Sequence, residues 1–185
     1  MMTIKQLNVE RVSYISKNAF SKVLEALDAA IGHPKMDEMW QNLFKADTVA
    51  DVEEIMRSCV GSSGLIEFLR FNHGDIIHKG STGTTPGNVR LVVGNPSIMR
   101  RMAKHVPDAP RRSPDERTIP SRHGEDSRGI GSYAPVTILI DERPDGVHLS
   151  YDRMASFLAT YQNAEALKVA RDLDSKVEAL LNSVA

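Results

Sequence analysis

The sequence contains a single cysteine, Cys59, among 185 residues. One thiol cannot form a disulfide within the chain, and a thiolate metal cluster would need more sulfur. The 23 basic and 24 acidic side chains nearly cancel, so the charge gives no reason to expect a nucleic-acid or membrane binder. No apolar run approaches about 20 residues, the length of a transmembrane helix, and the N-terminus lacks the apolar core of a signal peptide. We therefore expect a cytoplasmic protein without a nucleic-acid or membrane partner.

Length and composition point to one globular domain. A chain of 185 residues can bury a substantial core but is too short for two ordinary domains. The contents of 41% hydrophobic and 25% charged residues are typical of globular proteins. We expect residues 1–185 to form a single domain.

Apolar periodicity predicts the order strand, three helices, two strands, helix, hairpin and two helices. The strands are expected at 12–15, 65–73, 89–93, 135–140 and 147–151, and the helices after Asn18 or Ser16, after Pro34, after Thr48, and at 95–106, 153–160 and 163–182. This order indicates an α+β fold with a mostly antiparallel sheet of four to five strands covered by helices. The helix after Pro34 presents Met36, Met39, Trp40, Leu43 and Phe44 on one side, which predicts that this stripe packs into the core.

The segment 107–132 is rich in proline, glycine and charged residues. We expect a flexible loop there. A loop of this length within a compact domain is usually either disordered or functional.

His73 ends the apolar run that begins at Leu65. In a strand, Leu69, Phe71 and His73 share one face, so the imidazole would project from the apolar side of a sheet edge into whatever cavity lies there. A neutral imidazole in an apolar pocket can be an axial ligand of haem iron. A histidine at a strand end is more commonly a hydrogen-bonded structural or surface residue, and the pattern alone leaves both interpretations open.

A basic helix follows Asn95. At 100° per residue, Arg101 and His105 lie at the edge of its apolar face, whereas Arg100 and Lys104 point further outward. An arginine at such an edge can bury its stem and hold a carboxylate or nitro group with two hydrogen bonds. The alternative is a solvated basic face. If a pocket adjoins this helix, its substrate should be a small anion.

Several short motifs occur in the order typical of the domain-of-unknown-function 302 family, which this chain resembles. They are the strand ending in His73, the Gly-Asn-Pro turn at 94–96, the proline-led strand from Pro135, and an Asp-Gly hairpin followed by Ser150-Tyr151. The likeness covers roughly residues 10–182. It departs at Asn72, where the family has aspartate, and in the extra helices and the loop at 107–132. The resemblance implies a fold but no chemistry.

Two segments, Phe71–Asp75 and Met99–Lys104, also resemble the haem-dependent N-nitroglycine lyases, which are PAS-like. This resemblance implies a b-type haem with His73 as the axial ligand of the metal. It also implies cleavage of N-nitroglycine to nitrite, glyoxylate and ammonium.

Within this scheme, Arg101 would hold the carboxylate or nitro group of the substrate. Lys104 would assist it, and Arg100 would either assist or hold a haem propionate. His105 or His78 would act as the general base. Two alternatives are a haem-binding sensor or carrier without turnover, and a haem-free module that binds a small molecule. The apolar stripes and the sheet edge also suggest a homodimer.

Overall fold

The computed structural model describes residues 6–77, 79–80, 85–98, 101, 135–161 and 163–185. The helices are α1 (Phe20–Ala30), α2 (Met36–Lys45), α3 (Val49–Cys59), α4 (Gly74–Ile77), α5 (Met154–Leu158) and α6 (Ala164–Val184). The strands are β1 (Arg11–Ser16), β2 (Ile66–Asn72), β3 (Asn88–Gly94), β4 (Val136–Arg143) and β5 (Gly146–Asp152). Residues 96–98 and 101 are helical as well, whereas the rest of the predicted helix at 95–106 and the predicted loop at 107–132 lie outside the described residues. No described helix is long and apolar enough to span a membrane.

The five strands form one sheet in the order β1-β5-β4-β3-β2, and every neighbouring pair is antiparallel. This arrangement confirms the predicted α+β fold. The predicted hairpin joins β4 to β5, with Arg143 opposite Gly146. Gly146 has φ of 139°, a backbone conformation that favours glycine. The turn therefore depends on the Asp-Gly sequence that predicted it.

One face of the sheet carries the core. Alternate residues of the three central strands are buried on this inner face, where they pack against α1, α5 and α6. They are Val89, Leu91, Val93, Val136, Ile138, Ile140, Val147, Leu149 and Tyr151. The intervening residues lie on the opposite side of the sheet, which we call the outer face. The prediction that helices cover the sheet holds for its inner face.

Helix α2 corrects one expectation about the core. Its Met39 is buried, but Trp40 is 40% exposed and Phe44 is 85% exposed. Within the described residues, α2 packs mainly against α3, so one side of its apolar stripe faces solvent. The prediction that the whole stripe enters the core is therefore wrong.

The sequence suggests capping residues for three helices, and two of these helices use them. Thr48 caps α3 as predicted, and it does so in a capping box with Asp51. The side chain of Asn95 accepts hydrogen bonds from the backbone nitrogens of residues 97 and 98, at 2.9 and 3.1 Å, as a cap does. Neither Asn18 nor Ser16 caps α1, because Ala19 occupies the N-cap position and has no side-chain oxygen. The Ser16 hydroxyl donates to the carbonyl of Ala185 at 2.8 Å.

Candidate functional site

His73 directly follows the edge strand β2, and the ladder with β3 fixes its position. Phe71 lies opposite Arg90, and the His73 nitrogen donates to the Asn88 carbonyl at 2.9 Å. The rings of Phe71 and His73 are stacked, with centroids 6.0 Å apart and planes inclined by 13°. The predicted sharing of one face by these two residues is therefore confirmed.

That face is the outer one, and its apolar side chains are exposed. Leu69 is 56% exposed and Phe71 is 44% exposed. A register shift between Glu67 and Leu69 accompanies this orientation, because a bulge changes the face on which the following residues lie. The apolar side of β2 thus points away from the helices, and Leu69 and Phe71 on this side are exposed.

The Nε2 atom of His73 is buried and has no hydrogen-bond partner among the described residues. A buried polar atom without a partner costs roughly 1–3 kcal/mol, which marks it as a candidate ligand donor. Its chemistry fits haem iron, which accepts a neutral imidazole nitrogen. His73 lines neither of the two cavities described below. Because its Nε2 is buried, iron could reach this atom only after its surroundings open.

Three further residues continue across the outer face in a row with His73. Asn88 pairs with Asp141, and Asp141 pairs with His148. One oxygen of Asp141, Oδ1, is buried and unpartnered among the described residues, whereas Oδ2 accepts from Arg143. His148 Nε2 lies 2.8 Å from a carboxylate oxygen of Asp145, and this hydrogen bond lowers the pKa of Asp145. We call these four residues, His73, Asn88, Asp141 and His148, the polar row.

A cavity of about 380 Å³ lies on the outer face, and no residue of the polar row lines it. Arg90 lines it and is the diagonal neighbour of His73, about 7–8 Å away between Cα atoms. The guanidinium of Arg90 has no hydrogen bond or ion pair with the described residues. Arg11 also lines the cavity, but its Nε and Nη2 atoms bind both oxygens of Asp152, at 2.6 and 2.8 Å. That hydrogen bonding holds the pKa of Asp152 below its ordinary value.

Sequence reasoning overlooked Arg90. The signal was present in the alternation Val89-Arg90-Leu91, which turns the arginine to the face opposite two core residues. Because β3 has a neighbouring strand on each side, an arginine on its non-core face lies over the sheet and not at its edge.

Arg101 lies elsewhere. Its Nη2 is 2.5 Å from the Oδ2 of Asp172 on α6, and it lines a second cavity, of about 270 Å³, between α3 and residues 95–97. His73 lies beside the first residue of β3, whereas Arg101 follows the last residue of this strand. The first and last residues of β3 are about 20 Å apart. The structure therefore does not bring Arg101 and His73 together.

The remaining predicted site residues, Arg100, Lys104, His105 and His78, lie outside the described residues. Their roles as substrate-binding or propionate-binding groups and as general base stay predictions.

A second polar cluster lies near the start of β2 and consists of Asp28, His33, Glu67 and Arg70. One ligand atom from each of the first three lies within 4.8 Å of the others, which resembles a metal-binding group. The guanidinium of Arg70, however, binds both Glu67 and Asp28, and these hydrogen bonds raise the pKa of Arg70. Because both carboxylates already have a cationic partner, we interpret the cluster as an ion-pair network.

Comparison with known proteins extends the fold assignment. No protein-family model matches the chain, and no curated protein matches it. Its fold is similar to the crystal structure of the uncharacterized conserved protein DUF302 from Bacillus stearothermophilus, with a TM-score of 0.56. The similarity covers 95% of this chain and 98% of that chain, at 10% sequence identity. The predicted layout of the domain-of-unknown-function 302 family is thus confirmed for the backbone fold.

Proposed function

We propose that this protein binds b-type haem through His73 and cleaves N-nitroglycine to nitrite, glyoxylate and ammonium. The observation that carries the proposal is the buried, unpartnered Nε2 of His73, because a neutral imidazole nitrogen in such a setting can serve as an iron ligand. Bound haem would supply a Lewis acid for the departing nitro group. The choice of substrate rests on the resemblance of residues 71–75 and 99–104 to the N-nitroglycine lyases.

The fold supports a fixed orientation of the His73 ring. Its backbone nitrogen is bonded to Asn88, and its ring is stacked on Phe71. An imidazole held at its backbone and along one side loses little further freedom when it binds a metal. These contacts favour a ligand role over that of a solvated surface histidine.

A second candidate function is a haem-binding sensor or carrier without turnover. The position of Arg101 favours it, because this arginine is ion-paired with Asp172 at the far end of β3 from His73. The lyase then lacks the substrate-binding arginine that the sequence suggested.

Haem titration of the purified protein tests the shared part of both candidates. We expect a Soret band that saturates near one haem per chain. His73→Ala should weaken binding by at least about tenfold and alter the spectrum. The matched control is His33→Ala, which removes a histidine of the ion-pair network. A wild-type protein that takes up no haem, or a His73→Ala variant with wild-type affinity and spectrum, would overturn the proposal.

Nitrite release separates the two candidates. Haem-loaded protein is incubated with N-nitroglycine under reducing, anaerobic conditions. Nitrite, glyoxylate and ammonium in equal amounts indicate the lyase, and haem binding without nitrite release indicates the sensor or carrier. If the protein binds no haem, the alternative that remains is a haem-free module that binds a small molecule.

A further inference from the structure

The outer face carries a second candidate site that does not use His73. We propose that the cavity above Leu139 binds a small organic carboxylate and that Arg90 holds its anionic group. Haem plays no part in this site, so the present proposal can be tested independently of the function proposed above.

Arg90 supplies the charge for this site. Two arginines line the cavity, but Arg11 is neutralised by its paired hydrogen bonds to Asp152. Arg90 is exposed and has no partner among the described residues, so its five N–H donors remain available. A guanidinium binds a carboxylate with two parallel hydrogen bonds, which selects this group over a neutral one.

Two hydroxyl groups add polar contacts. Ser150 and Thr137 line the same cavity, and neither hydroxyl forms a hydrogen bond with the described residues. The sheet register places Leu139 between Arg90 on β3 and Ser150 on β5. Because strands lie about 4.8 Å apart, the backbone positions of Arg90 and Ser150 are separated by roughly 10 Å.

The walls between these polar groups are apolar. Leu139 lies at the centre of the site, and Phe157 of α5 lines the cavity as well. The volume of about 380 Å³ falls in the range of small-molecule pockets, roughly 300–1,000 Å³. This arrangement fits a carboxylate with an apolar body and a hydrogen-bond acceptor at its far end. The carboxylate would bind Arg90, and the acceptor would face Ser150 or Thr137.

Fluorine NMR with 4-fluorobenzoate as the probe tests the site in the protein as purified. The uncharged 4-fluorobenzamide has the same shape and serves as the ligand control. We expect the acid to bind in the millimolar range or tighter and the amide to bind at least about tenfold more weakly. Equal binding of the two compounds would overturn the proposal. So would the absence of binding by the acid at about 20 mM, which is about 20 times a millimolar Kd.

Arg90→Gln identifies the residue responsible. Because Arg90 is exposed and unpaired, the variant should fold normally, and we expect its affinity for 4-fluorobenzoate to fall about tenfold. Arg171→Gln removes an equal charge from an exposed position of α6 outside the cavity and should bind like the wild type. Unchanged binding by Arg90→Gln, or an equal loss in both variants, contradicts the assignment.

His73→Ala connects this experiment to the haem titration. It should leave the binding of 4-fluorobenzoate unchanged, because His73 does not line the cavity. Loss of probe binding in this variant would show that the two sites are one and would overturn the independent site.

Discussion

Replacing Asp174 with alanine should destabilise the protein more than the loss of an ordinary surface carboxylate. Asp174 lies on α6 and is 4% exposed. It accepts hydrogen bonds from the backbone nitrogens of Met154 and Ala155, at 2.7 and 3.0 Å, and from the hydroxyl of Tyr151. One carboxylate on α6 thus accepts hydrogen bonds from two backbone N–H groups in the first turn of α5 and from the hydroxyl of a core tyrosine.

The size of the effect follows from the donors left behind. Each buried donor without a partner costs roughly 1–3 kcal/mol. Burial raises the pKa of Asp174, however, so removing this charge also recovers part of its desolvation cost. We expect Asp174→Ala to lower the free energy of unfolding by about 3–5 kcal/mol. Asp174→Asn keeps one acceptor oxygen and should cost about 2 kcal/mol, and Tyr151→Phe about 1 kcal/mol.

Urea denaturation at pH 7, followed by far-UV circular dichroism, measures these differences. With a slope of about 2 kcal/mol per molar urea, the midpoint of Asp174→Ala should fall by roughly 1.5–2.5 M. Asp172→Ala is the matched control, because it removes a half-exposed carboxylate of the same helix and should cost under about 1 kcal/mol. A loss below about 1 kcal/mol for Asp174→Ala would refute this reasoning.

Three smaller perturbations test other features of the fold. Thr48→Ala removes the capping box of α3 and should cost about 1 kcal/mol in thermal or urea unfolding. Gly146→Ala should cost about 1–3 kcal/mol in the same assay, because φ is 139° and a Cβ atom would lie 2.5 Å from the carbonyl oxygen of Ser16. The ion pair of Arg11 with Asp152 holds the pKa of Asp152 below its ordinary value. Its contribution, under about 1 kcal/mol, should be present above about pH 4 and disappear as the pH falls through the lowered pKa. The difference in unfolding free energy between wild type and Asp152→Asn, measured from pH 7 to pH 2.5 (about 1.5 units below the ordinary aspartate pKa), gives this dependence.

The sequence predicted most local structure because the signals are local. The Asp-Gly at 145–146 and the apolar strands on either side specify the hairpin, and Thr48 specifies the start of α3. The exposure of Phe44 could not be predicted in this way, because periodicity shows that a helix has an apolar side but not which element covers it.

The candidate site was harder to predict, because it depends on how distant strands are ordered. Because β2 and β3 pair antiparallel, His73 lies beside the start of β3. The helix that bears Arg101 begins after the end of β3. The sequence predicted an antiparallel sheet but not which strand pairs with β2, so it placed both residues at one cavity. Asp174 shows another limit. It falls within the buried stripe of α6, yet an aspartate in a sequence pattern is normally assigned to solvent.

The sheet order also affects how the chain folds during synthesis. Strand β1 leaves the ribosome first, but its neighbour β5 follows about 130 residues later, since Arg11 pairs with Asp152 and Ser16 with Val147. Closing a loop of that length costs roughly 4 kcal/mol of chain entropy, which tertiary contacts must offset before the pairing is stable. We expect the nascent chain to expose β1 as an unpaired strand until β5 is made, with folding slowed by this non-local contact. Chaperone engagement of stalled nascent chains should therefore end only when residues 146–152 have emerged.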